Sequence, residues 1–145
     1  MKYSDINIRA RQLLRDTNRT IFQEAEIQNG INEGIDRVRS IKELNGMKHL
    51  TDANEEPILL PNQYHSLLAL FSASRCFFQD EQMQQATMLM NEFESKLFEL
   101  KTDIENGDTI ITDQEGNVVG DGTGSIDYIV DEYFNVSKEE IEWEV

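Results

Sequence analysis

From Pro57 to Gln79 the chain holds no acidic residue, although it carries 28 Asp and Glu in 145 residues and a net charge of −15. The same stretch contains both prolines, the only cysteine and three of the seven phenylalanines. In so acidic a chain, an acid-free, apolar run of this length is expected to be the most buried arm of the fold. The residue before each proline, Glu56 and Leu60, is pushed toward extended geometry. Ile58 to Leu60 is therefore expected to be a very short strand or an extended strut. Pro61 or Asn62 then opens a helix that runs to about Gln79, because proline is tolerated in a first turn. Ala69, Ser72, Ala73, Ser74 and Cys76 are small and allow neighbouring helices to come close.

The clearest periodicity follows directly. Met83, Ala86, Met90, Phe93, Leu97, Leu100 and Ile104 alternate spacings of three and four, a heptad seam over about three heptads. Asp80 is expected to cap this helix, which runs to about Glu105 and spans about 36 Å. Residues 62–105 thus read as a long antiparallel αα-hairpin, with Phe71, Phe93 and Leu97 buried. The seam reads as core, not as a cofactor site.

Upstream, a helix is expected from about Asp5 to Arg15, capped by Ser4 or Asp5, with Ile6, Ala10, Leu13 and Leu14 on one face. The segment "DTNRT" breaks it. A second helix covers about Gln23 to Leu44, striped by Ile27, Ile31, Ile35, Val38 and Ile41. Gly30 and Gly34 lie beside that stripe. Each glycine costs about 1 kcal/mol against alanine. A close approach by another helix and a soft, bendable helix both account for them. "NGMKHLTDANEE" reads as a loop.

After Asn106-Gly107 the pattern changes. "TIITDQEGNVV" places two β-rich runs around a "DQEG" turn, with Gly116 at the position that wants positive φ. "GDGTG" has the composition of a hinge. "SIDYIVDEYFN" suits a short helix capped by Ser125, with Ile126, Ile129, Val130 and Tyr133 on one face. "SKEEIEWEV" offers a capping box from Ser137 to Glu140, and equally an alternation of Ile141, Trp143 and Val145 with glutamates. The extended form is expected for the last five residues. The fold class expected is mainly α: a small helical bundle over residues 1–105, then an acidic β-hairpin and extended interaction arm over 106–145. Ile126, Tyr133, Ile141, Trp143 and Val145 are the expected partner-binding residues; the face made by Ile141, Trp143 and Val145 is too small to be a core by itself.

The length suits one domain with a tail, and 39% hydrophobic against 28% charged residues favours folding over disorder. No run approaches the roughly 18 apolar residues of a membrane span, and the first residues lack a signal-peptide core. Together with the lone Cys76, which is expected to pack in the core, this suits a reducing, aqueous compartment. Residues 1–50 carry nine Lys/Arg against seven Asp/Glu, whereas residues 101–145 carry two lysines against thirteen acids. Such a surface is solubilising and repels nucleic acid. The glycines are not followed by GK[ST], so there is no phosphate loop. Set as an EF-hand with Gly124 at position 6, Asp121 and Ile126 fit, but Val119 and Val130 fall on ligand positions 1 and 12. His49 and His65 lack metal-ligand spacing, Cys76 has no evident His partner, and no carboxylate sits in an apolar setting suited to acid–base work. No enzyme activity, metal or cofactor is expected.

Three segments, in order, carry a likeness to a known family: "RQLLRDTNRTIFQEAEIQNGINEGIDRV", "LLPNQYHSLLALFSASRCFFQDE" and "ATMLMNEFESKL". Over about residues 5–105 the chain resembles the head–tail connector (adaptor, or head-completion) proteins of tailed bacteriophages. The shared pattern is an opening helix, an Arg/Asp-containing break with a phenylalanine, an "I…IN.G" helix, then "LP..Y...L" and "A......F...L". Residues 106–145 lie outside the likeness. The resemblance implies a helical bundle without catalytic residues. It implies a virion protein, made in the host cytoplasm, whose copies form a ring, commonly of twelve, between the portal protein and a tail or stopper protein. DNA would pass through such a ring without specific binding, and no membrane is involved. It also makes "PILLP" the strut that leads into the hairpin. The alternative from a different class is an acidic helical regulator that binds another protein, or a DNA mimic.

Overall fold

The computed structural model describes residues 1–119. Four helices carry them: α1 (Tyr3–Leu14), α2 (Glu24–Val38), α3 (Ser66–Gln79) and α4 (Met83–Glu105). Single 3-10 turns lie at Lys42–Leu44 and Asn62–Tyr64. The chain divides into two compact units, 1–99 and 100 onward, with the boundary inside α4.

α3 is the axis of the first unit. Leu67 through Ser74 are all buried, as are Cys76 and Phe77. That is the acid-free stretch, and it carries no carboxylate because it has almost no wet face; its one charged residue, Arg75, sits on the half-buried side and pairs with Glu33 at 3.0 Å. α1 and α2 both pack on it. Ile6, Ala10 and Leu14 of α1 and the whole expected stripe of α2, Ile27 to Ile41, are buried. α2 comes closest. A Cβ placed on Gly30 would lie 2.8 Å from the Ser72 Cα, and one on Gly34 would lie 3.1 Å from the Phe71 Cβ. The Ser72 hydroxyl donates to the Ile27 carbonyl at 2.8 Å. Of the two accounts of these glycines, close approach is the one realised.

α4 meets α3 at two levels. The Ser74 hydroxyl donates to the Ala86 carbonyl at 2.8 Å. The Phe71 and Phe93 rings pack edge to face, 5.0 Å between centroids. Arg37 lies over the Phe93 ring, 5.6 Å from its centroid, and pairs with Glu94 at 2.5 Å. Ala86, Phe93, Leu100 and Ile104 are buried, but Met90 and Leu97 are only half-buried and Met83 is exposed. The expected continuous seam is therefore a narrower stripe, filled once per heptad along most of its length.

α1 and α3 end alike. The Asp16 N–H bonds the Arg11 carbonyl and the Arg15 N–H bonds the Gln12 carbonyl; Gln82 bonds Phe77 and Glu81 bonds Phe78 in the same way. These are Schellman closures with Arg15 (φ 57°) and Glu81 (φ 61°) in the left-handed position that glycine usually fills. α4 closes the same way with a glycine, Gly107 at φ 78°.

Several expectations are corrected. Asp80 does not cap α4; it closes α3. α1 begins after Lys2, whose N–H bonds the Asp5 carboxylate at 3.3 Å, so Asp5 serves as the third residue of the helix and not as its cap. α2 stops at Val38, and Ile41 to Leu44 turn away as a 3-10 segment that still buries Ile41 and Leu44. Ile58–Leu60 is a turn, not a strut: Leu59 adopts φ 83° and the Leu60 N–H returns to the Pro57 carbonyl at 3.2 Å. The proline rule fixes only Glu56 and Leu60, so it left Leu59 free to bend. The turn lets His65 tuck inward. Its Nε2 bonds the Leu60 carbonyl at 2.8 Å, and burial holds its pKa below the ordinary histidine value.

The expected C-terminal β-hairpin is not formed as strands. Among the described residues there is one antiparallel bridge, Thr112 with Val118, around a turn in which Gly116 has φ 88°. The Asp113 carboxylate accepts the N–H groups of Glu115 and Asn117 and organises that turn. The polar "DQEGN" run spends its hydrogen bonds locally and leaves too few residues on either side for a ladder. The expected arm beyond it lies outside the described residues.

Candidate protein-binding surface

The "RDTNRTIF" break proves to be a built loop. Asp16 is buried, and its carboxylate organises the turn: Oδ1 accepts the N–H groups of Thr20 (3.0 Å) and Ile21 (3.1 Å), and Oδ2 accepts that of Phe22 (2.9 Å). Burial alone would raise its pKa. The three backbone donors and Arg11 outweigh burial and hold it below the usual carboxylate range.

Arg11 ties the loop to the first turn of α2. Its Nη1 donates to Asp16 Oδ2 at 3.0 Å and to the Phe22 carbonyl at 3.1 Å, and Nη2 reaches Glu24 Oε1 at 3.4 Å. Glu24 Oε2 accepts from the Tyr3 hydroxyl at 2.6 Å and from Asn7 Nδ2 at 2.7 Å. Burial, then the neighbouring Glu24 carboxylate, pushes the Tyr3 hydroxyl pKa upward, so it stays a donor. The charges are thus paired within the network, with only the buried Arg11 Nε lacking a hydrogen-bond partner, and the network holds the loop rather than offering reactive groups.

The rigid loop creates a contrast in neighbouring residues. Phe22 turns inward at 6% exposure, whereas Ile21 stands outward at 61%. Between this loop, the end of α3 and the start of α4 runs a groove of about 420 Å³. Its apolar lining includes Leu13, Ile21, Phe22, Phe77, Met88 and Leu89, with Arg15 on the rim. Asp80 also lines it, and its carboxylate is engaged by the Gln82 side-chain amide. Met88 is 65% exposed, and farther along α4 Phe98 is 70% exposed. Arg9, Arg15 and Arg19 are exposed and form no ion pair among the described residues.

This arrangement can hold an apolar side chain beside one unpaired guanidinium, that of Arg15. Among the described residues, no group of three or more metal-ligating side chains comes together, and no helix is long and apolar enough to cross a membrane. Cys76 is buried with its thiol pushed up to about 11 by burial, so it is not a poised nucleophile. The partner-binding residues expected from the sequence, Ile126, Tyr133, Ile141, Trp143 and Val145, lie outside the described residues. The groove was not anticipated. Ile21 and Phe22 side by side after a polar break were the available signal, because adjacent side chains of an extended loop point to opposite sides. Comparison of the chain with family models, curated proteins and solved structures gave no match.

Proposed function

We propose that this chain is a structural protein of a tailed bacteriophage, one subunit of a ring between the portal and the tail that extends the DNA channel and offers tail proteins a docking surface. The reading is carried by one observation. α4 spends 23 residues on a stripe that buries only Ala86 and Phe93 within the first unit, and leaves Met83, Met88 and Phe98 outside. A helix that contributes so little to its own core is suited to contact a neighbour. The α3–α4 pair then acts as the hairpin that presents this surface. Residues 106–145 serve as the arm, with Ile141, Trp143 and Val145 as anchors. The connector-like order of segments over residues 5–105 supports the same reading. So does the charge of −15, which suits a channel that DNA must traverse without sticking.

Mass by light scattering, of the chain alone and after mixing with a connector-type portal protein, tests it. The expected result is a discrete complex of many 16.8 kDa copies on the portal. A chain that stays monomeric or dimeric in both samples would favour the acidic regulator instead.

A further inference from the structure

We infer that the groove between α1, the 15–22 loop and α4 receives the "EEIEWEV" segment of a second copy of the chain. The two surfaces match in chemistry. The groove has a largely apolar floor, with Arg15 among its lining and with Asp80, whose carboxylate is engaged by the Gln82 amide; Arg19, on the other side of the same loop, and Arg9 on α1 lie outside that lining, and none of the three arginines is in an ion pair among the described residues. Arg15 is held at φ 57° and Arg19 at φ 59°, left-handed positions that a non-glycine residue occupies only when its surroundings impose it. The buried Asp16 imposes it, and so fixes where both guanidinium stems leave the backbone.

The segment supplies the complement. Residues 120–145 carry eight acids and one lysine. In its last seven residues, Ile141, Trp143 and Val145 alternate with Glu140, Glu142 and Glu144. In extended form that alternation turns three apolar side chains to one side and three carboxylates to the other. A Trp flanked by two aliphatics suits an apolar groove of about 420 Å³. Tryptophan and arginine are also the residue types that most often carry an interface. The first fifty residues, which supply α1 and the loop, carry a small positive excess, whereas the last forty-five are strongly negative, so this edge of the body is the one that favours the acidic segment of another copy. A contact between two different patches of identical chains is heterologous, and a heterologous contact that closes gives a ring.

Disulfide trapping in the full-length chain tests this, since the one native cysteine is buried. A Met88→Cys chain is mixed with a Val145→Cys chain, which keeps the tryptophan, under mild oxidation, and non-reducing gels are read for a covalent dimer. The dimer is expected from the mixture. It is not expected when Ile58→Cys, an exposed site outside the groove, replaces Met88→Cys. Arg15→Glu with Arg19→Glu should abolish the dimer, and Glu142→Lys with Glu144→Lys in the partner chain should restore it. Unchanged helical circular dichroism keeps each variant interpretable. No dimer, equal trapping at residue 58, or indifference to the charge reversal would overturn the inference. So would a doubly substituted Met88→Cys/Val145→Cys chain that closes only on itself. The inference rests on the ring reading for its neighbour, but the two can fail separately. Portal binding without trapping would sink the groove assignment alone, and trapping without portal binding would sink the phage reading alone.

Discussion

α3 and α4 follow one another with three residues between them, and they use their side chains in opposite ways. α3 is 14 residues long and buries ten of them; α4 is 23 residues long and fully buries four. Yet α4 has the more regular heptad pattern. Spacing says which side of a helix is apolar; it does not say whether anything covers that side. The better indicator of burial was composition. A helix covered all round cannot carry carboxylates, whereas α4 carries Glu92, Glu94, Glu99, Asp103 and Glu105 and so had to keep most of its circumference in water.

Several substitutions break or sharpen this contrast, and the largest effects belong where both helices meet the core. Phe93→Ala should cost about 3–5 kcal/mol in denaturant unfolding, because Phe93 is fully buried against Phe71 although it sits on the exposed helix. A loss below about 1 kcal/mol would mean that α4 is docked far more loosely than its two contacts suggest. Asp16→Ala should cost a similar ~3–5 kcal/mol, since it strands Arg11 and three backbone donors. The same carboxylate predicts an acid limb. Its native pKa is lowered, so its stabilising share is present above about pH 4 and is lost as pH falls through the native value. In Asp16→Asn that limb should flatten, as read from unfolding midpoints between neutral and acid pH. Leu97→Ala, half-buried, should cost about 1–2 kcal/mol. Phe98→Ala should change stability by less than about 0.5 kcal/mol despite deleting a whole aromatic ring. A drop of several kcal/mol there would place Phe98 in the core and dissolve the difference between the helices.

The sequence made much of this legible. The α2 stripe and the acid-free α3 were read correctly because each is a single-element property, periodicity in one and composition in the other. The helix ends were read less well. Arg15 and Glu81 occupy glycine-like positions, and nothing local announces a non-glycine closure; it is imposed by Asp16 in one case and by the short link to α4 in the other. Leu59 escaped for the same reason, since neither proline constrains it. The groove was invisible because it belongs to three elements at once, and a single buried acid, Asp16, sets its rim. Asp16 had looked like part of a polar break.

The account turns on the outer side of α4 and the adjoining groove being a contact surface and not spare solvent-exposed helix. The most direct measurement is the light-scattering mass of a Met88→Glu/Phe98→Glu variant beside that of the unsubstituted chain, each mixed with a connector-type portal protein as the proposed ring requires, with circular dichroism on the same samples. Both side chains are more than half exposed, so the variant should keep its helical signal and melting temperature while the assembled complex is lost. A folded variant that still assembles to the full mass would contradict the account.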